Sequence, residues 1–355
     1  MTAVARRCFS LLTALVCATA VGSVKADSIS DFYKANPINL YVGAAPGGGY
    51  DMFARLLARH LGRHIPGSPS VIVKNLSGAD GAVAANYVYN IARRDGTNLV
   101  MPQNTLTIDQ LTGMSSVKFD MRRFQWIGSL NTNQSVCIFS RRVAPLSRND
   151  FFARQFVIGG SGGVTASPTL VPTLTNELAG TKFKIINGYE GTNVAFLAVD
   201  RGEIDGICGI GWDSVKVQAS DRLKSGDLVV GLDVGITRDS ELKSLGVPFF
   251  LDLSPDGPDK QALQLIFSVQ LYGRPFAMPP GTPDDRLGAI RKAFQETMTD
   301  DAFVADAMRS RVQIQPLSPE KVLSTIDLPF DAPERIRDRV IDALRKAGWG
   351  GGQRR

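Results

Sequence analysis

The residue types in this sequence that could do chemistry gather in a few places, and the first is Ala45-Pro46-Gly47-Gly48-Gly49-Tyr50-Asp51. Behind it lies an apolar, β-prone run, Ile38-Asn39-Leu40-Tyr41-Val42; ahead of it Met52, Phe53, Leu56, Leu57 and Leu61 recur at helical spacing. Strand, glycine loop and helix start place several backbone N–H groups at the positive end of a helix dipole. Such a site holds an anion without a charged side chain, and glycines let a ligand approach the main chain. A nucleotide is a poor fit. Gly43 and Gly48 have P-loop spacing, but Gly49 and Tyr50 stand where a lysine and a hydroxyl residue are required. No G-x-G-x-x-G follows either. A carboxylate fits. Asp51 either complements the helix dipole or contacts the ligand; the plain alternative for the whole loop is a sharp βα turn with no ligand.

The same device recurs. The strand-like Phe156-Val157-Ile158 leads into Gly159-Gly160-Ser161-Gly162-Gly163-Val164-Thr165, and Ser167 and Pro168 suit the cap and first turn of a following helix. Gly159 to Gly163 also matches G-x-S-x-G, the nucleophile elbow of a serine hydrolase, so Ser161 is tested as a nucleophile. The elbow takes its base from a histidine downstream, and the chain has only His60 and His64, both upstream. Those two are four apart on one helical face, a zinc-competent spacing. Leu61 follows His60 where H-E-x-x-H needs Glu, and no cysteine or carboxylate cluster completes a site, so they read as surface or helix-end histidines. No metal and no cofactor are expected.

These loops need a scaffold, and the pattern supplies one. Strand-like runs at 38–42, 70–75, 98–101, 126–130, 135–139, 156–158, 182–186, 204–209 and 228–232 alternate with helical stretches, which indicates doubly wound, mainly parallel α/β sheets. Ligands of such sheets sit beyond the carboxyl ends of the strands. Gln103 and Asn104 follow the third strand and should share the rim of the first glycine loop. Tyr189, in a Gly-Tyr-Glu-Gly turn, and Trp212-Asp213, after the 204–209 strand, are placed on the corresponding rim of the second lobe. Tyr189 otherwise braces its turn, and Trp212 and Asp213 otherwise serve as core and cap.

The first residues read as an export signal: Arg6 and Arg7, an apolar stretch from Cys8 to Val21, and cleavage after Ala26. No Asp or Glu precedes Asp27, so losing Arg6, Arg7 and Lys25 takes the formal charge from +6 to +3. The remaining basic residues are scattered, and no stripe for nucleic acid is visible. Of four cysteines, Cys137 and Cys208 remain after cleavage; each sits in an apolar run, and two buried thiols are expected although an exported protein could pair them.

Ala44 to Leu61 (A-A-P-G-G-G-Y-D-x-x-A-R-L-L-A-R-H-L) resembles the first loop and helix of the Bug family (TctC-like), extracytoplasmic solute receptors of tripartite tricarboxylate transporters. V-I-V-K-N-L-S-G-A-D-G from Val71, A-R-R-D-G-T from Ala92, G-Y-E-G from Gly188, R-G-E-I-D-G from Arg201 and F-A-M-P-P-G-T-P from Phe276 are similar to further landmarks, in order. The resemblance implies a two-lobed, type II periplasmic-binding-protein fold that closes like a flytrap over an organic anion. It implies a carboxylate gripped by the first-lobe loop, 45–50, and its second-lobe counterpart, 161–165. Tyr50 stands where many members carry a small hydroxyl residue, and with Trp212 this favours an aromatic or larger acid over a simple dicarboxylate.

The expected organisation is a signal peptide at 1–26, lobe 1 at 27–128, lobe 2 at 129–271, a return to lobe 1 at 272–346 and a disordered tail at 347–355. Hinge strands are expected near 128–130 and 272–276. The expected function is a monomeric periplasmic receptor, not an enzyme, that hands an organic acid to membrane transporter subunits, without nucleic acid and without membrane insertion. The alternatives are a serine hydrolase using Ser161 and a ligand sensor for a membrane signalling partner.

Overall fold

The computed structural model describes residues 28–144, 146–161 and 165–349. The expected signal peptide therefore lies outside the described residues, as do Gly162, Gly163 and Val164 of the second glycine loop.

Two five-stranded sheets organise the chain. The first contains β1 (Ile38–Val42), β2 (Val71–Asn75), β3 (Asn98–Met101), β4 (Gln125–Ser129) and, arriving late, β10 (Pro275–Met278), in the order β2-β1-β3-β10-β4. The second contains β5 (Ser135–Ser140), β6 (Phe156–Ser161), β7 (Phe183–Tyr189), β8 (Gly206–Gly211) and β9 (Leu228–Asp233), in the order β7-β6-β8-β5-β9. This is the expected two-lobed architecture, but the sheets are mixed. β1 pairs parallel with β2 and β3, and β6 parallel with β7 and β8, while β10 and β5 run antiparallel to both their neighbours. The reason is connectivity. β10 and β5 are the strands by which the chain enters a sheet from the other lobe, so they come in from the opposite end.

Strands covered by helices on both faces read as continuous apolar runs. β3, β5, β8 and β10 are buried along their whole length. The helix Gly49–Leu61 lays Phe53, Leu56, Leu57 and Leu61 into the first-lobe core beside Leu40, Val42, Phe294 and Phe303. In the second lobe Val136, Ile138 and Ile207 pack under Phe196 and Val199 of the helix Thr192–Arg201. A third apolar cluster runs through both lobes, from Trp126 and Val100 to Phe156, Leu174, Phe267 and Val340. Burying each Phe or Leu in these clusters contributes about 1.5–3 kcal/mol.

The return segment divides. The helices Asp284–Met298 and Asp301–Arg309 pack on the first lobe against Gly49–Leu61, whereas Glu334–Lys346 packs on Pro258–Phe267 and Ser167–Ala179 of the second. The last helix of the return segment expected in the first lobe thus rests on second-lobe helices. Residues 347–349, expected in a disordered tail, continue the order: Trp349 is buried in the shared cluster, and its N–H donates to Leu344 O.

Two sequence expectations about side chains change. Antiparallel pairing sets Cys137 of β5 opposite Cys208 of β8, and the two form a disulfide, not the expected pair of free thiols. His60 is buried, not a surface residue: its Nε2 lies 2.8 Å from Asp306 and its Nδ1 2.6 Å from Arg63. His64 Nε2 sits 2.8 Å from Asp300. Both imidazoles thus tie the helix Gly49–Leu61 and its 3-10 extension Gly62–His64 to the Asp301–Arg309 helix and its cap.

Candidate functional site

A cavity of about 610 Å³ opens between the lobes. It lies beyond the carboxyl ends of β1, β2 and β3 on one side and of β6, β7 and β8 on the other, where doubly wound sheets bind ligands. The first lobe contributes Ala45, Pro46, Gly48, Gly49 and Tyr50, the loop 77–81, and Gln103 and Asn104. The second contributes residues 166–168, the turn 188–192 containing Tyr189, residues 209–211 and Ser214. Asn133 and Arg274, on the two segments that cross between the lobes, line it as well.

Five helices begin at this cavity: Gly49–Leu61, Ala82–Asn90, Ser167–Ala179, Thr192–Arg201 and Trp212–Gln218. Their cap residues are Gly48, Gly81, Ala166, Gly191 and Gly211, all of which line it. None of the five makes a side-chain cap hydrogen bond. A helix start carries up to four N–H groups without intrahelical partners and the positive end of the macrodipole. Two of the five are partly engaged, the Trp212 N–H with Gln134 O at 2.6 Å and the Ala82 N–H with Ala79 O. Among the described residues the first N–H groups of Gly49, Ser167 and Thr192 have no such partner and remain as donors at the cavity. At Gly81 the backbone dictates the residue: φ is +92°, and a Cβ there would lie 3.1 Å from Gln103 Cγ. The sequence expected two such starts, and the fold brings five.

Of the residues singled out in the sequence, Ala45, Pro46, Gly48, Gly49, Tyr50, Gln103, Asn104 and Tyr189 line the cavity. Gln103 Nε2 donates to Gly43 O at 2.9 Å and braces the first loop. Asn104 Nδ2 donates to Val269 O at 2.9 Å, and its backbone N–H donates to Tyr50 Oη at 3.1 Å. The Tyr50 hydroxyl points at Asn104 Oδ1, 3.2 Å away, and at Gly273 O. Burial raises its phenol pKa, against the pull of the Arg274 guanidinium, so it is a neutral donor.

Other singled-out residues have other work. Gly47, with φ +77°, donates its N–H to Asp51 Oδ2 at 2.9 Å. Asp51 is buried behind the loop and also accepts from Arg55 and Asn75. Burial would raise its pKa, but those three donors hold it below the usual carboxylate range. Asp51 shapes the loop and does not line the cavity. Trp212 is buried and donates Nε1–H to Glu241 at 2.9 Å, while Asp213 accepts from Asn131 and pairs with Lys216 at 3.7 Å. Neither lines the cavity: β8 runs on to Gly211, two residues past the expected strand end, and Trp212 and Asp213 form the first turn of the helix behind that cap. Ser161 ends β6, and the Ser167–Ala179 helix is preceded by Ala166 as its cap, not Ser167.

Thr165 also stays out of the cavity wall, but it joins the lobes. Its N–H and hydroxyl lie 2.9 Å and 2.7 Å from Asp80 Oδ2, and the hydroxyl is 3.0 Å from Asp109 Oδ2. Asp109 is buried, and among the described residues its Oδ1 has no partner. Burial pushes its pKa up to about 8, outweighing the Thr165 hydrogen bond, and the Asp80 charge adds to the rise.

Sequence reasoning missed the 77–81 loop, residues 209–211, Ser214 and Arg274. The loop had a signal, S-G-A-D-G after a strand, which is another glycine turn before a helix. Arg274 had none, because its neighbours in sequence say only that the chain is turning back towards the first lobe. Among the described residues no group of three or more His, Cys, Asp or Glu could hold a metal ion, and no helix is long and apolar enough to cross a membrane.

No protein-family model matches the sequence. Among curated proteins, 184 residues are 27% identical to an Agrobacterium vitis protein described as "UPF0065 protein in the TAR-I ttuE-ttuC' intergenic region"; the match covers 50% of this chain and spans about half, 52%, of that relative. Among solved structures, a TctC solute-binding protein from Polaromonas is 20% identical over 88% of this chain and 99% of its own, with a TM-score of 0.60. The periplasmic binding protein BugD is 18% identical over 88% and 98%, with a TM-score of 0.66. MatC from Rhodopseudomonas palustris, with bound malate, is 17% identical over 87% and 99%, with a TM-score of 0.65. What is shared at these identities is the fold. The resemblance to Bug and TctC receptors drawn from the motifs holds for the architecture as well.

Proposed function

We propose that this protein is a periplasmic solute-binding receptor of the Bug type, which captures an organic carboxylate between its lobes and delivers it to a membrane transporter. One observation carries the reading: helix starts from both lobes, at Gly49, Ser167 and Thr192, present N–H groups without side-chain caps to one interlobe cavity. Backbone donors and dipoles attract a carboxylate without a fixed counter-charge at each contact, so capture need not preclude release. A ligand bridging both rims stabilises the closed arrangement by its extra contacts there, with hinge motion in the crossing segments near 128–130 and 272–276. The receptors that share the fold, one of them holding malate, support the class of ligand and the periplasmic location. Export by the 1–26 signal and a transporter partner belong to the same proposal.

The site we assign contains Gly48, Gly49, Tyr50, Gly81, Asn104, Ala166, Gly191 and Gly211, together with the second glycine loop, 161–164. Serine hydrolysis is not retained, because His60 and His64 are engaged with Asp306 and Asp300, away from the cavity. An aromatic acid loses its support as well. Trp212 does not line the cavity, and one face of the Tyr50 ring is covered by Arg274, 4.6 Å from its centroid. A multi-carboxylate is the reading we keep. Calorimetric titration with C3–C6 aliphatic diacids and tricarballylate, against their full amides, tests it. Binding of at least one acid with no heat from the matching amide is expected; equal binding of acid and amide would refute anion capture.

A further inference from the structure

Arg274 is 4% exposed and lies on the segment that returns from the second lobe to the first. A buried guanidinium normally has a carboxylate or a full set of acceptors, because uncompensated charge away from water is costly. Arg274 has neither. Nη1 donates to Gly273 O at 2.9 Å, Nη2 reaches Ser214 Oγ at 3.4 Å, the guanidinium also interacts with the Tyr50 hydroxyl, and Nε has no partner among the described residues. Its π contacts, to the Tyr50 and Phe53 rings at 4.6 and 4.8 Å, supply no acceptor for Nε. Among the described residues no carboxylate forms an ion pair with it. Asp213 feels its field but is engaged with Lys216 and Asn131.

The surroundings add positive potential instead of cancelling it. Nη2 would lie 3.1 Å from a Cβ on Gly211 and 3.9 Å from one on Gly49, so the guanidinium stands between the starts of two helices, one from each lobe. The dipole end of the Gly49–Leu61 helix and a cation meet at one end of the cavity.

We propose that Arg274 is the specificity-determining residue of the cavity, receiving a second carboxylate of the ligand while the other helix starts hold the first. This rests on the reading of the cavity as a carboxylate site and extends it: the protein selects diacids over monoacids of equal length. Arginine suits the task, since its planar fork meets both oxygens of a carboxylate, which a helix start does less selectively. Burial against Tyr50 and Phe53 fixes the fork before the ligand arrives and lowers the ordering cost of binding.

The test is calorimetric titration of wild type, Arg274→Gln and Arg274→Lys with C3–C6 diacids and their monoamides. Wild type should bind its best diacid at least about tenfold more tightly than the matching monoamide. Arg274→Gln should bring the diacid down to the monoamide's affinity and leave the monoamide within about threefold, and Arg274→Lys should restore part of the preference. A wild type that binds diacid and monoamide equally, or an Arg274→Gln variant that keeps the preference, overturns the assignment of Arg274 and leaves the carboxylate cavity standing. A wild type that binds neither overturns both. Should Arg274→Gln unfold, Arg274→Lys decides: a folded lysine variant with no diacid preference at all, or with monoamide affinity lost equally, makes the role structural and the proposal false.

Discussion

Helices that begin at the cavity differ from a set of four that begin on the outer surface, although a few others away from the cavity, such as Pro258–Phe267 behind Gly257, also start without a side-chain cap. On the outside, Ser28, Asp239, Asp300 and Ser318 each accept a backbone N–H from the first turn of the helix they cap. Other outer helices start without such a bond behind Pro283 and Pro333, which are exposed and leave their first N–H groups to water. At the cavity the caps are four glycines and an alanine, none with a side chain able to accept. A Ser, Asp or Asn at a cap stabilises a helix by about 0.5–2 kcal/mol over Ala. The cavity forgoes that gain five times, and at Gly49, Ser167 and Thr192 it keeps the first donors for a guest. Acids follow the same division. Asp300, at an outer cap, is held down to about 2 by the Phe303 N–H and, against some burial, by His64, the Ala302 N–H and Arg63. Asp109, near the lobe junction, is driven by burial up to about 8.

The most forceful way to break the contrast is to make an inner start resemble an outer one. Gly48 has φ −75° and ψ 170°, the geometry of a side-chain cap. In Gly48→Asp the carboxylate should bond the first turn of the Gly49–Leu61 helix and occupy the place of the ligand's own carboxylate. Charged hydrogen bonds are worth about 1.5–3 kcal/mol each, so losing a pair should weaken carboxylate binding roughly a hundredfold or more. Thermal unfolding of the unliganded protein should be unchanged or raised by up to about 1 kcal/mol. Retained affinity in titration would show that this helix start does not touch the ligand.

The contrast between acids predicts a pH dependence. The Thr165 hydroxyl has one proton and two carboxylates within reach; given to Asp80, it leaves Asp109 to supply its own. A folded pKa of about 8 against the ordinary 3.8 means the native state binds the extra proton, so stability falls as pH rises from about 4 through 8 and levels off above that. Between pH 6 and 8 the decline from this group should be about 2 kcal/mol. Asp109→Asn, which keeps an N–H donor for Thr165, should remove that slope. Denaturant unfolding at the two pH values measures it, and parallel curves for wild type and variant would mean that Asp109 is ionised throughout.

How much of this could be read from the residues differs by region for physical reasons. Periodicity and glycine punctuation are local properties, so β1 to β9 fall close to where the apolar runs lie, and Ala45, Pro46, Gly48, Gly49 and Tyr50 of the first loop reach the cavity wall while Gly47 and Asp51 do not. Burial partners are set by distant chain. Asp51 looks like a ligand contact beside three glycines, and only the approach of Arg55 and Asn75 reveals it as the loop's brace. The Trp212-Asp213 pair misled because the strand read as ending at Gly209 runs to Gly211, which puts both residues in the first turn of the next helix and out of the cavity wall. The short helices between 234 and 272, which carry weak patterns, were not legible, and neither was Arg274, whose meaning depends on Gly49, Gly211 and Ser214 meeting from two lobes.

The smallest expected effect tests the outer half of the contrast. Ser318 has extended φ and ψ (−68°, 160°), and its hydroxyl accepts from Lys321 N at 3.2 Å at the start of the Pro319–Asp331 helix. That helix packs on β4 and on the 3-10 turn Ser268–Tyr272, which leads into the strand carrying the chain back. Ser318→Ala removes the acceptor, and water replaces it only in part, so the protein should lose about 1 kcal/mol of stability. Affinity for a bound carboxylate should stay within twofold, because no donor facing the cavity changes. A loss of affinity larger than the loss of stability would mean that the outer starts and the inner ones are coupled through the hinge, and the division between helices that hold the fold and helices that hold the ligand would be too sharp.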